Sequence, residues 1–383
     1  MSGLPALQLF RCLCVPSGRL PGPISAPARP VNPPTVMIAA APVQRIKSGL
    51  PPAAYRAALY KLPVLVLHAG IAVTGFWLAG RAGLSWWLVP LALGAGHSLG
   101  CIGFLAHDLA HGSMVPHRPT ALALERVFWG LVLISATVWR RVHNQSHHAH
   151  FNTVLDPDRM FLAEERRTAT VWYVRIFYPN AETFPWNPLV LLHLAAYVGR
   201  NTVTALLPGK SKLAVVPAKA AVHPGDRRAI VADLVVIAGL QALLWLLTGR
   251  QTAVYAAMLA ATCAVTSALS MAYIFTNHFT DPLHAEPDLL HGTTSVIVPA
   301  WVDRLHSNFS YHTEHHLFPG LNSDYYPVVS AQLARAFPDS YSRIPIREAW
   351  RRLWRNAMFL PPPSAGKSRP VKAPAREAET VSA

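Results

Sequence analysis

Acidic side chains are what this sequence most conspicuously lacks. Of 383 residues only 19 are Asp or Glu, against 34 Lys or Arg, and no acid precedes Asp108. Charged residues make up 14% of the chain, well under the ~25% of ordinary soluble domains, so a globular body with a charged, wetted shell is excluded. Cysteine is scarce as well: Cys12, Cys14, Cys101 and Cys263 are the full set. Their spacing forms neither a disulfide framework nor a structural zinc site, and the lone CxC at the start is a weak metal signal. No helix-turn-helix, RNA-binding or zinc-finger pattern is present. The net charge of +15 therefore points to an anionic membrane face, not to nucleic acid.

What the chain has instead is apolar length. Hydrophobic residues make up 52% of it, and the mean hydropathy is +0.26. Four runs, 62–80, 85–106, 229–249 and 253–275, are long enough at 1.5 Å per residue to cross ~30 Å of hydrocarbon. Trp86 and Trp87 open the second run, where rings of that kind suit the lipid–water boundary. His68 and His97 lie inside the first two runs and are read as buried hydrogen-bonders, His97 being the one that could line a channel. Residues 127–138 are apolar but too short to span and suit a helix lying on or dipping into the interface. Residues 188–207 are interrupted by Arg200 and Asn201 and are read as an interfacial helix. A basic loop, 208–228, contains His223-Pro224-Gly225-Asp226. That tetrad resembles the haem-ligand motif of cytochrome b5, but it runs straight into a span and leaves no room for a haem domain.

The ends of the chain read differently. Residues 1–45 are rich in Pro, Ala and Arg, and are expected to be a disordered tail or an extension upstream of a start at Met37. A transit peptide is the functional rival. Residues 361–383 are expected to be a second disordered, Pro- and Lys-rich tail, which leaves 46–360 as the membrane domain.

Three histidine clusters organise that domain: His107-x3-His111, His143-x3-His147-His148 and His312-x2-His315-His316. On a helix, residues three and four apart share a face. His107 and His111 then point one way, as do His143 and His147, and His312 meets both His315 and His316. Each cluster can present two or three imidazoles to one point, and imidazole is a ligand for iron, zinc, copper and nickel. The two short turns between spans carry only Arg81 and Arg250, while nearly all remaining Lys and Arg lie on the other side. The positive-inside rule puts that other side, with all three clusters and His278, in the cytoplasm.

The order HxxxH, HxxxHH, HxxHH, separated by long apolar segments, resembles the membrane fatty acid desaturase family of di-iron enzymes, and the run from His312 to Gly320 is similar to that family's third box. The resemblance covers about residues 60–335. It implies His107, His111, His143, His147, His148, His312, His315 and His316 as ligands of two iron ions, with O2 as co-substrate. It also suggests one further histidine at the end of the fourth span, for which His278 is the candidate. Asp108, Glu314, Asp156 and Asp158 lie close enough in sequence to accept the second N–H of a ligating ring. For Asp156 and Asp158 simple balancing of nearby arginines is the alternative.

The expected architecture is an all-α integral membrane protein with four transmembrane helices, interfacial helices and a cytosolic cap holding a di-metal site. The expected activity is desaturation of a long acyl chain. Removing hydrogen from an unactivated methylene is beyond any side-chain acid or base and needs a redox metal with O2. The electrons would come from a separate donor, ferredoxin or cytochrome b5. A hydroxylase or ketolase acting on a carotenoid, sterol, sphingoid base or alkane is the alternative within this chemistry. A membrane metal transporter or sensor is the alternative of another class, disfavoured because transporters place such residues near mid-bilayer.

Overall fold

The computed structural model describes residues 40–356 except 154, 159–191, 195–201, 203–205, 207–221, 281–283, 285 and 342. Most of the interfacial helix expected over 188–207 and most of the basic loop therefore lie outside the described residues, as do 1–39 and 357–383. In chain order the helices are α1 (Ala40–Gly49), α2 (Leu62–Ala82), α3 (Leu88–Ala110), α4 (Arg118–Leu131) and α5 (Ala136–Trp139). A π-helical segment (Arg140–His147) leads into α6 (His148–His150), followed by α7 (Arg227–Leu247) and α8 (Thr252–His278). The cap follows: β1 (Ser295–Ile297), α9 (Ala300–Leu305), α10 (His312–Leu317), α11 (Tyr326–Ala336), β2 (Arg343–Pro345) and α12 (Ile346–Asn356).

Among the described residues, helices α2, α3, α7 and α8 are the four that are each long and apolar enough to cross a membrane. α2 opens with proline in its first turn, where the missing N–H costs nothing, and closes on Gly83 at φ +63, a glycine stop. The tightest crossing is α3 on α8. A Cβ at Gly96 or Gly100 would come within 2.6 Å of the Val265 or Leu269 side chain, so only glycine lets the two backbones approach this closely. The γ-hydroxyl of Thr266 donates across the crossing to the Gly96 carbonyl at 2.8 Å.

At one end of this bundle the two short turns touch. Gln251 Nε2 donates to the Gly80 carbonyl at 2.7 Å, and a Cβ on Gly80 would lie 2.6 Å from Thr248 Cα. The opposite ends of α3 and α8 carry the histidines. The expectation that every cluster falls on one side thus holds geometrically, because each span begins or ends there.

Helix α4 and the α5–α6 stretch are long and apolar enough to span only as a pair, bent by 105° at the break between them. The dipping helix expected over 127–138 falls in this pair. Its turn is fastened by Asp233, a carboxylate 1% exposed in the second turn of α7. Asp233 accepts from Arg126 Nε (2.9 Å), the Ser135 hydroxyl (2.7 Å) and the Thr137 backbone N–H (2.8 Å). A buried charge is tolerated in an apolar helix only when satisfied in this way. Asp233→Ala leaves the Ser135 hydroxyl and the Thr137 N–H buried without this acceptor. It is expected to destabilise the fold by about 3 kcal/mol, read as a lower melting temperature in detergent. An unchanged melting temperature would show that the turn holds itself.

The cap departs from the all-α expectation in one place: β1 pairs in parallel with β2, Val296 opposite Ile344. Helix α1 also begins inside the stretch expected to be tail. Its Ile46, together with Leu50, is buried against Leu321, Val329 and Leu333 of the cap, and that apolar burial gives the segment a reason to fold.

Candidate metal centre

All nine histidines singled out from the sequence come together, and they do so in two groups. Within each group one ring nitrogen per residue lies within 4.8 Å of the others. The first group is His107, His111, His143, His148 and His315; the second is His147, His278, His312 and His316. Helix α3 carries His107 and, one residue past its end, His111; α8 ends on His278; α10 begins with His312.

The division is not the one that helical spacing predicts. His143 and His147 share a face on an α-helix, yet they fall in different groups. The cause is the π-helical winding, in which the His148 N–H bonds the His143 carbonyl. An i→i+5 turn brings 143 and 148 onto one face and sends His147 to the other group. In α10, His312 and His316 stay together as an i, i+4 pair, and His315 turns to the first group. His312 therefore shares its group with His316 and not with His315, although the His312 and His315 ring centroids are only 5.8 Å apart.

The ring nitrogens aim at each other. Nε2 to Nε2 separations are 3.2 Å for His107–His143 and 3.1 Å for His315–His148 in the first group. In the second group they are 3.3 Å for His147–His316, 3.1 Å for His316–His312 and 2.6 Å for His312–His278. The buried Nε2 of His111 has no hydrogen-bond partner among the described residues. Burial first, and then the neighbouring imidazoles, pushes His312, His315 and His316 well below the ordinary histidine range. These three rings are therefore neutral at physiological pH, with lone pairs available. Neutral imidazoles whose nitrogens converge at such separations fit two metal ions, and an all-nitrogen donor set suits iron, copper or zinc.

Carboxylates hold the outer sides of two rings. His147 Nδ1 donates to Asp156 Oδ1 at 2.8 Å, with both side chains 1% exposed. His143 Nδ1 donates to Asp158 Oδ2 at 2.6 Å. Asp156 is itself fixed by the backbone N–H groups of Asn152 and Asp158, both at 2.8 Å. Each of these two acids thus holds a histidine ring of one of the two groups. The other two acids expected in that role differ. Asp108 accepts from Ser323 at 2.6 Å and lies 3.6 Å from Lys61, while His107 Nδ1 is 3.7 Å away. Glu314 reaches no histidine; it bonds Ser295 and Tyr341 in a fully buried network, and burial raises its pKa. It sits between two ligand-bearing positions in sequence, but its side chain points to the β1 side of α10.

Sequence reasoning missed the aromatic setting. The Tyr326 hydroxyl lies 3.2 Å from His315 Nδ1, and Trp139 stacks on His143 with centroids 4.5 Å apart. Neither residue carried a motif signal; the position of Tyr326 fourteen residues from His312 is set by the cap fold. A further trio, His97, Cys101 and His306, gathers below Phe104. His97, expected to be buried, is there a half-buried hydrogen-bonder, 3.2 Å from His306, and the Tyr273 hydroxyl bonds the other side of His306 at 2.8 Å.

A membrane bundle with two converging groups of histidines at one end defines a class, the histidine-box membrane oxidoreductases. The chain belongs to the fatty acid desaturase family, whose model matches residues 84–348. It is also similar to the beta-carotene ketolase of a Paracoccus species, 32% identical over 143 residues that cover 36% of this chain. The match spans 48% of that relative's length.

Proposed function

We propose that the chain is an O2-dependent desaturase that introduces a C=C bond into a long acyl chain at a di-iron centre. The ligands would be His107, His111, His143, His148 and His315 for one ion, and His147, His278, His312 and His316 for the other. What carries this reading is where the rings face. His107, His143, His147, His278 and His312 line a cavity whose remaining wall is mostly apolar, Phe104, Ile134, Met271 and Ile274 among it, with Asp158, His193, Thr266 and Ser270 as its other polar residues. The rings thus face a largely hydrocarbon-lined space.

When bound, the iron pair would supply the two-electron activation of O2 that no side chain can. Overall, CH2–CH2, O2, two electrons and two protons become CH=CH and two waters. The protein's own share is to keep the rings neutral, to aim them through Asp156 and Asp158, and to hold the methylene against them in a dry pocket. Two electrons per turnover must come from outside, and a ferredoxin or cytochrome b5 is the proposed donor. It would approach from the cytoplasm, where the histidine-bearing side faces under the positive-inside rule. A basic face suits an acidic partner.

The ketolase similarity favours a second reading: insertion of oxygen into a carotenoid or other apolar substrate at the same centre. Both readings are tested together. Membranes from a host expressing the protein are extracted, and their saponified fatty acids and unsaponified lipids are profiled by mass spectrometry. A product two mass units lighter than its precursor supports desaturation. One sixteen heavier points to hydroxylation, and one fourteen heavier to a ketone. No new product with an iron-loaded protein and a reduced donor would sink both. A preparation that binds zinc alone would count against the oxygen chemistry and favour a hydrolytic or transport role.

A further inference from the structure

Below the histidines two cavities follow one another. The one they wall is narrow, about 70 Å³. A second, about 320 Å³, is bounded by Leu99, Leu244, Leu259, Phe76 and Gln241. The two share Val132, Leu194 and Thr266. Their order along the bundle follows from α8: the first runs from His278 to Thr266, and the second from Ser267 to Leu259. The helix rises about 28 Å between Leu259 and His278, nearly the full ~30 Å of a bilayer's hydrocarbon core. One lipid tail reaches only half that core, about 15 Å.

The walls are greasy even where the residues are polar. Thr262 and Thr266 spend their hydroxyls on the Met258 and Gly96 carbonyls and so present methyl groups. Asp158, His193 and Ser270 are polar residues of the first cavity, and Gln241 is one of the second. Gln241 Oε1 accepts from the Tyr255 hydroxyl at 2.9 Å, while its buried Nε2 has no partner among the described residues. The unspent end of the amide is thus its N–H2 group. A buried, unpaired amide costs free energy, and an acceptor on a ligand would satisfy it.

We propose that the two cavities are one shaft for an extended apolar stem about as long as the bilayer core is thick, with the carbon to be oxidised near the histidine end. The substrate is then an elongated polyene or a very long-chain lipid attacked near one end, not an ordinary tail attacked at its middle. An ordinary tail oxidised at mid-chain would leave most of the shaft empty, and an apolar stem that fills it gains free energy for every ångström buried. Gln241 gives the shaft a preference for a hydrogen-bond acceptor, such as a carbonyl, at the far end of the stem. This inference rests on the histidines being an oxidising centre, but stem binding can be read without turnover.

Purified full-length protein in detergent is titrated with β-carotene, a rigid apolar rod, and binding is followed by the visible circular dichroism that a chiral pocket imposes on it. Saturable binding is expected. Leu259→Trp, which fills the shaft near its floor, is expected to weaken binding roughly ten-fold or more, while Leu259→Met keeps the volume and the affinity. A saturated fatty acid of bilayer-spanning length displaces the polyene if very long-chain lipids also fit. If only the polyene binds, the substrate class narrows to polyenes. Gln241→Leu is expected to lower, by several-fold, the ratio of affinity for the same polyene bearing a carbonyl on each terminal ring to affinity for β-carotene; an unchanged ratio would remove Gln241 as the source of the preference. Equal affinity for β-carotene in wild type and Leu259→Trp, or displacement by hexadecanoate as good as by the longer chain, would overturn the shaft. Metal content is measured on the same samples. Bound iron with unaltered binding in Leu259→Trp refutes the shaft and leaves the centre standing; stem binding without any metal refutes the centre and leaves the shaft.

Discussion

Replacing His315 with alanine is expected to reduce product formation by more than the ~10–100-fold that is typical of removing an outer-shell partner. His315 is the only member of the third cluster in the five-ring group. Its Nε2 lies 3.1 Å from that of His148, and its ring centroid is 4.3 Å from that of His107. It therefore joins the cap to α3 and to the π-helical segment at one point. Losing it opens the first metal position, and iron per chain should fall from two toward one. The side chain is 4% exposed, so a folding defect has to be separated from a metal defect. Size-exclusion elution and helical circular dichroism, measured beside the iron content, do this. A variant that keeps its turnover would remove His315 from the ligand set.

The second large effect is expected at Asp156. Its carboxylate fixes the His147 ring from outside while two backbone N–H groups fix the carboxylate. Asp156→Asn keeps the shape and removes the charge that makes His147 a better donor. Iron affinity is expected to fall ~10–100-fold, measured by competition with a chelator at constant pH. Asp156→Ala, which also frees the ring to rotate, is expected to fall at least as far. Asp158→Asn should show the same behaviour for the first group, because His143 is held in the same way at 2.6 Å. An Asn variant with wild-type iron affinity would reduce Asp156 to a loop-closing residue.

These two residues show where sequence reasoning was strong and where it stopped. The gathering of the three clusters was legible because rings three to five residues apart on a helix can converge, and local spacing survives in the sequence. His278 was legible through the family resemblance, which suggests one further histidine at the end of the fourth span. Of the four acids beside the clusters, proximity alone could not distinguish Asp156 and Asp158, which hold rings, from Glu314, which faces Ser295 and Tyr341 in the cap. A side chain's direction depends on what packs against the turn, and those partners are far away in sequence. Tyr326, Trp139 and Asp233 carry no motif: a cap contact brings Tyr326 to His315, a long-range one brings Asp233 to the α4–α5 turn, and Trp139 stacks on His143 from four residues away.

By itself the sequence determined the class. Long apolar runs fix the spans, and the dearth of acids fixes the kind of surface. Short turns with one arginine each place every histidine-bearing end on one side, because a helix that must cross a slab has only two sides to end on. Tertiary structure alone decided the rest. The five-and-four division depends on a π-helical turn whose i→i+5 bonding no α-helical periodicity announces. The hollow beneath the rings exists only where α3, α7 and α8 fail to fill the space between them. Voids are a property of packed neighbours, and one chain's local pattern does not record what its distant parts leave empty.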